Sequence, residues 1–339
     1  MTASEPVVAI LIPCYNESVT IAKVVDDFKA AIPEADIYVY DNNSTDGTGQ
    51  IARDHGAIVR KEHRQGKGFV VQSMFRQIEA DVYVMVDGDD TYPADSVRDL
   101  IAPILSGEAD MTIGDRLTNG TYGAENKRRF HGFGNNLVRG LINHLYHAHI
   151  TDIMTGYRAF SKVFVKTYPV LSKGFEIETD LSIHALDKDF IVKEVPIVYR
   201  DRPEGSFSKL NTVSDGIKVL KTIMGLFKDY KPLSFFSWVT LIFLVLGLIA
   251  GIPVIAEYAA TGLVPRMPTV MLAAALVIIA MLTFACGLIL DTVVKASRKR
   301  YELSVMRVYD QIAREQTFAA VAEKLGVEAG AADGTSTDD

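Results

Sequence analysis

Two apolar runs, Leu233–Ala256 and Pro268–Leu290, restrict the folds open to this chain before any motif is considered. Each is nearly uncharged and long enough to cross about 30 Å of hydrocarbon as a helix. In lipid, a single segment of that length satisfies its own backbone donors and acceptors only as a helix. The runs are therefore expected to form a hairpin of two transmembrane helices, not the core of a soluble domain. Lys228 and Lys231 precede the first run, and Lys295, Arg298, Lys299 and Arg300 follow the second, while the connection Glu257–Met267 holds one Arg and one Glu. Basic flanks stay on the cytoplasmic side. No apolar leader with a cleavage site opens the sequence, so the expectation is a multi-pass protein of the cytoplasmic membrane with its N-terminal domain in the cytosol.

The residues before the hairpin alternate between short apolar runs and amphipathic stretches. Strands are expected at Val7–Ile12, Ile37–Tyr40, Ala57–Val59, Val82–Val86, Met111–Gly114 and Ile191–Tyr199. Helices are expected at Ser18–Ala31, from Thr48 to His55, from Gly68 to Ile78, and at Asn135–His147. Such alternation predicts an α/β domain built on a largely parallel sheet, helices on both faces, with ligands at the carboxyl ends of the strands. Residues 1–211 form this domain. An amphipathic stretch with interspersed lysines, residues 212–231, is expected to lie in the membrane interface. The hairpin occupies 232–291, and a charged cytosolic helix with breaks is expected over 292–327, either solvated or mediating a homo-oligomer. The tail 328–339 is Ala, Gly, Asp and Thr without large apolar residues and is expected to be disordered. A net charge of −7 argues against a nucleic-acid partner. Cys14 lies in the cytosolic domain and Cys286 within a span, so no disulfide joins them.

Polar clusters follow the strands where such a fold places a site: Tyr15-Asn16-Glu17, Asp41–Thr48, and Asp87-Gly88-Asp89-Asp90. Carboxylates this close repel one another, and a hard divalent cation, Mg²⁺ or Mn²⁺, relieves that repulsion and brings a phosphate with it. The alternative for the last cluster taken alone is a solvated acidic turn. His131, His144, His147 and His149 cluster in sequence and invite a metal-site reading, but the carboxylates already supply a cation site, and His144 and His147, at i, i+3, are read as helix packing or interface residues.

Together, Ile12–Glu17, Asp41–Thr48, Gly66-Lys67-Gly68, Asp87-Gly88-Asp89, Asp152–Arg158 and Arg202–Lys209 resemble family 2 glycosyltransferases of GT-A fold. Among these the chain is most similar to the polyprenyl-phosphate glycosyltransferases related to dolichyl-phosphate mannose synthase. The likeness covers residues 7 to 211, and the hairpin matches bacterial members with two spans. It implies inverting transfer of a sugar from a nucleotide diphosphate donor to a polyprenyl phosphate of undecaprenyl or dolichyl type. By the same resemblance, Pro13, Tyr15, Asn16, Glu17, Asp41, Asn43, Lys67, Asp87 and Gly88 hold the donor. Asp87 and Asp89 are the metal pair, with Asp89 the direct ligand, and the loop containing Arg202, Ser206, Ser208 and Lys209 closes over diphosphate and acceptor. That loop carries one residue more than the usual Arg-x-x-Gly-x-Ser-Lys spacing, which leaves Ser206 and Ser208 open as the phosphate contact. Asn42 stands where the family commonly has Asp.

A lipid phosphate is already an anion near neutral pH, so it attacks without a general base, and catalysis becomes a matter of handling charge. Arg116, Arg129 and Arg202 are the expected acceptor-phosphate set, with Arg128 beside them, since guanidinium suits bidentate phosphate contact. The basic run Lys127-Arg128-Arg129 could equally face anionic lipid. Asp152, Thr155, Glu176 and Glu178 are candidates for positioning the sugar. A UDP-hexose or UDP-N-acetylhexosamine is favoured over GDP-mannose. Three other readings compete. A processive polysaccharide synthase would carry Gln-x-x-Arg-Trp, yet the one Trp, Trp238, lies in the first span. A transferase acting on a glycan or protein hydroxyl would need Glu176, Glu178 or Asp180 as base, and a non-catalytic nucleotide-binding membrane module would bind donor without turnover.

Overall fold

The structure, a computed structural model, describes residues 6–118, 139–140, 142–144, 146–174, 176–200, 224–225 and 227–325. Lys127, Arg128, Arg129, His131, the loop Arg202–Lys209, most of the 212–231 stretch and the 328–339 tail lie outside the described residues.

The described part of the N-terminal domain is ordered β1 (Val8–Cys14), α1 (Ile21–Ala31), β2 (Asp36–Asp41), α2 (Thr48–Asp54), β3 (Ile58–Lys61), α3 (Lys67–Gln77), β4 (Val82–Met85), α4 (Val97–Leu105), β5 (Met111–Asp115), β6 (Arg158–Ser161), α5 (Lys162–Thr167), α6 (Ile177–Asp187) and β7 (Val192–Pro196). The seven strands form one sheet in the order β3-β2-β1-β4-β6-β5-β7. Alternation along β1 decides which residues face which layer. Ala9 and Leu11 join a core built with α3, α5 and α6, whereas Val8, Ile10 and Ile12 join a second core built with α1 and α4. Both faces are thus covered, and β1 and β4 read as continuous apolar runs because neither face meets water.

One strand departs from the expected parallel pattern. β6 runs antiparallel to both β4 and β5, with Met85 opposite Arg158 and Ile113 opposite Arg158. The reversal has a consequence for function: it sets the residues entering β6 beside those leaving β4 and β5. Three loops then share one end of the sheet with the loops that follow β1 and β2.

The hairpin consists of α7 (Pro232–Thr261) and α8 (Met267–Leu325), each containing a stretch long and apolar enough to cross a bilayer. They approach closely at small residues, as helices in lipid do when no hydrophobic drive pulls them together. A Cβ at Gly287 would lie 2.8 Å from Phe236 Cβ, and the hydroxyls of Thr240 and Thr283 are hydrogen-bonded at 3.0 Å. The charged helix expected after the second run is present, but not as a separate element with breaks: α8 is continuous for 59 residues. No Gly or Pro occurs between Asp291 and Leu325, so nothing interrupts the backbone ladder. Beyond the apolar segment α8 lies against α5 and α6. Arg298 pairs with Asp187, Lys162 with Glu315 at 3.3 Å, and Lys188 sits over the Tyr301 ring.

Candidate active site

The loops after β1 and β2 are tied to each other through backbone amides. Asn16 adopts φ 53°, a left-handed conformation that Asn tolerates, which turns its N–H onto Ser44 Oγ (3.0 Å) while its Oδ1 accepts from Thr45 N (2.9 Å). Glu17 N donates to Thr48 Oγ1 (2.9 Å) and Ser18 N to Asp46 Oδ2 (3.0 Å). Burial works to raise the Asp46 pKa, but hydrogen bonds from Thr48 and Ser18 outweigh it and hold the group at about 2. Asp41 is buried at the end of β2, accepts from Ser44 N (2.8 Å), and has Gly49 close beside its other oxygen. Pro13 is paired across the sheet with Tyr40, and Tyr15 stands exposed at the rim.

Asn42, the departure from the family's Asp, has a structural explanation. Its amide donates to the carbonyls of Glu62 and Arg64 (both 2.8 Å), and its oxygen accepts from Gly66 N (2.8 Å) and Gln65 Nε2 (3.2 Å). All four of its hydrogen-bonding positions hold the 62–66 loop, and a carboxylate has no donors for those two carbonyls. Asn43, at φ 65°, adds a bond to His63 O (3.0 Å). The same loop leads into α3 and positions Lys67.

β4 delivers its carboxylates in different directions. Asp90, at φ 60°, turns to Lys23 (2.7 Å) on α1. Asp89 is 4% exposed, and its Oδ1 accepts from the Thr91 hydroxyl (2.6 Å) and N–H. Gly88 O accepts from Thr20 (2.6 Å), which holds the turn in place. Asp87 meets Lys67, whose Nζ lies 2.5 Å from Asp87 Oδ1 and 2.5 Å from Glu178 Oε1. Burial would lower the lysine pKa, but the two carboxylates raise it far above the usual range, so the ammonium stays charged. Gly156, brought opposite Asp87 by the antiparallel β6, lies so near that a Cβ there would overlap the Asp87 carboxylate.

Arg116 and Asp152, expected to contact acceptor and sugar separately, contact each other. Arg116 Nε and Nη2 reach both Asp152 oxygens (2.6 and 2.9 Å), and Nη1 donates to Tyr92 OH (3.3 Å). Asp152 is wholly buried, its own N–H bonded to Glu194 (2.9 Å). Thr155 is also buried and donates to Tyr92 OH (3.4 Å). The three carboxyl groups around the start of α6 are likewise engaged. Glu176 accepts from Lys173 N and Gly174 N, Glu178 holds Lys67, and Asp180 accepts from Tyr168 (2.9 Å), Ser172 (2.9 Å) and Tyr230 (3.2 Å).

Two residues of the site were missed in the sequence. Arg158, fully buried, donates to Thr155 O (3.0 Å), Ile153 O (2.5 Å) and Ser182 (2.9 Å), and so pins the loop that carries Asp152 and Gly156. Burial brings its pKa down to about 10. Tyr92, also buried, gathers Arg116, Thr155 and Gly156 N around one hydroxyl. Arg158 closes the Asp152–Arg158 motif and heads a four-residue strand, which was the available signal for it; nothing local marks Tyr92.

Among the described residues, no group of three or more His, Cys, Asp or Glu side chains stands ready to hold a metal alone. A site with two carboxylates suits a hard cation that takes its other oxygens from phosphate and water. Lys67 at 2.5 Å shows that the Asp87 carboxylate already accommodates a positive charge. Asp87 and Asp89 are the carboxylates of this turn that could hold such an ion, Asp87 by exchanging Lys67 for it. Arg202, Arg128, Arg129, Ser206, Ser208 and Lys209, expected to complete the phosphate contacts, are outside the described residues.

Comparison with known proteins bears on the family and the fold. The family described as "Glycosyl transferase family 2" matches residues 9–168. A glycosyltransferase, AglJ, of Haloferax volcanii is 33% identical over 231 residues, covering 68% of this chain and 75% of that protein. A dolichyl-phosphate hexose transferase from the same organism is 30% identical over 216 residues, covering 64% of this chain and 92% of its own. Among solved structures, glucosyl-3-phosphoglycerate synthase from Mycobacterium tuberculosis, in complex with Mn²⁺, UDP and glucosyl-3-phosphoglycerate, superposes with a TM-score of 0.52 at 20% identity, over 66% of this chain and 80% of the other. That likeness shows the fold, the mixed α/β sheet of GT-A type. The chain belongs to glycosyl transferase family 2, and its relatives include enzymes of the polyprenyl-phosphate kind.

Proposed function

We propose that the protein transfers a hexose or N-acetylhexosamine, with inversion, from a nucleotide diphosphate sugar to a polyprenyl phosphate, UDP-sugars being preferred to GDP-mannose. The observation that carries this reading is the placement of Asp87 and Asp89 at the sheet end where the β1, β2, β5 and β6 loops converge, in a chain that continues into a bilayer-length hairpin. The donor's base and ribose would lie by Tyr15, Glu17 and Asp41, and the diphosphate by Asp87–Asp89. Those two carboxylates would hold Mg²⁺ or Mn²⁺, which supplies electrostatic stabilisation of the departing diphosphate. Arg116, anchored by Asp152, and the cations of the 127–129 and 202–209 stretches would align the attacking phosphate oxygen opposite the leaving group. The catalytic domain and both ends of the hairpin would lie on the cytoplasmic side.

Acceptor chemistry is where the rival readings divide. Transfer to a hydroxyl needs a carboxylate poised to take a proton. Glu176, Glu178 and Asp180 are each engaged, by backbone amides, by Lys67 and by three hydroxyls. That engagement favours an acceptor that is an anion before it arrives. The reading is tested by nucleoside diphosphate release from UDP- and GDP-sugars, with and without undecaprenyl phosphate, by wild type and Asp89→Ala. Release that depends on the lipid phosphate and on metal, and that falls at least a hundredfold in the folded, membrane-bound variant, is expected. Full activity after metal chelation, or release independent of the lipid, would overturn it.

A further inference from the structure

Lys67 occupies an unusual place for a residue expected to bind an anionic donor. Its side chain is 9% exposed and its ammonium sits between two carboxylates, 2.5 Å from both Asp87 and Glu178. Asp87 is one of two carboxylates that fit a divalent cation, and Oδ1 of the other, Asp89, is already shared with Thr91 at 2.6 Å. A second cation placed on Asp87 meets the lysine's charge at close range, and at such distances in a partly buried site repulsion is strong. Glu178, fixed on α6, gives the ammonium a partner that it keeps when Asp87 turns to another cation.

We propose that Lys67 is a built-in counter-cation that competes with the divalent metal for Asp87. It yields Asp87 and is retained by Glu178 only when a nucleoside diphosphate supplies further oxygens to the metal. The ammonium stays an ammonium throughout; what changes is its partner. Metal alone therefore loads poorly, and metal and donor enter together. Such coupling keeps Asp87 paired with a cation between turnovers, with no need for a permanently held metal. The inference rests on the metal-dependent reading above and assigns Lys67 a positioning role toward the metal.

The test is Mn²⁺ binding, followed by the electron paramagnetic resonance signal of free Mn²⁺. It uses the full chain in phosphatidylcholine nanodiscs, alone and with UDP or GDP. Wild type should bind Mn²⁺ weakly alone and at least tenfold more tightly with one of the diphosphates. Lys67→Met should bind Mn²⁺ alone at least tenfold more tightly than wild type, so that the advantage given by the diphosphate shrinks. Lys67→Gln, which keeps an amide donor for the two carboxylates and guards against misfolding of the Met variant, should shift the same way. Lys67→Arg, which keeps the charge, should stay within about threefold of wild type. A merely structural lysine would give weaker or unchanged metal affinity in all three variants. Folded Met or Gln variants with unchanged or weakened affinity for Mn²⁺ alone overturn the counter-cation role and leave the function standing. Wild type that binds no Mn²⁺ even with UDP and GDP overturns the metal-dependent reading and this inference with it.

Discussion

Replacing Asn42 by the Asp common in the family should harm this protein. Its amide donates to two carbonyls of the 62–66 loop, and a carboxylate at that point would face both oxygens without a proton to offer. Leaving such groups unpaired costs about 1–3 kcal/mol each. Asn42→Asp is therefore expected to lower the melting temperature by several degrees and to loosen the approach to Lys67. Differential scanning calorimetry of the purified protein checks it, and an unchanged transition would contradict the assignment. At this scale the sequence was readable wherever chemistry is local. The acidic turn after β4 stood out because three carboxylates follow one apolar run. The Lys67–Asp87–Glu178 arrangement did not, because the lysine is 20 residues from one partner and 111 from the other. Nor did the sequence reveal that Arg116 meets Asp152, since that contact exists only once β6 has reversed direction.

Elements show the same division between local and distant causes. β1, β2 and β4 are buried apolar runs bounded by turn residues, and their strands lie within two residues of the expected bounds. β6 was not anticipated: four residues headed by an arginine give no alternating pattern, and only the sheet around it makes Arg158–Ser161 a strand. The docking of α8 on α5 and α6 was equally hidden, because charged helices usually face solvent. There, Thr167 donates to Val163 O (2.7 Å) and Tyr301 to Thr167 (2.9 Å), so the Tyr301 oxygen is left to accept from His184 Nε2 at 3.0 Å. Burial, with Lys188 nearby, depresses the His184 pKa from 6.5 to about 3. The unfolded chain takes up this proton first, so stability present above pH 6.5 is lost as pH falls toward 3. By pH 5 the loss reaches about 2 kcal/mol from this one group. Thermal unfolding across pH 7 to 5 should show that decline in wild type and a flatter course in His184→Phe; parallel curves would contradict the assignment.

Across the whole molecule, one helix joins the two halves. α8 begins in the apolar hairpin and ends against the catalytic domain, where Asp187, its side chain 1% exposed, meets Arg298. This continuity ties the site-bearing sheet to two helices long and apolar enough to cross a bilayer, which is what the proposed polyprenyl phosphate acceptor would require. A soluble acceptor would require no such tie. The proposed activity is defined by its product, and mass spectrometry of the lipid fraction addresses it most directly. Purified protein would be incubated with undecaprenyl phosphate, Mg²⁺ or Mn²⁺ and a mixture of UDP- and GDP-sugars. A new species with the mass of one hexose or N-acetylhexosamine joined to the lipid phosphate is the predicted result, and it names the sugar. Unmodified lipid phosphate beside released nucleotide or a glycosylated hydroxyl acceptor would contradict it.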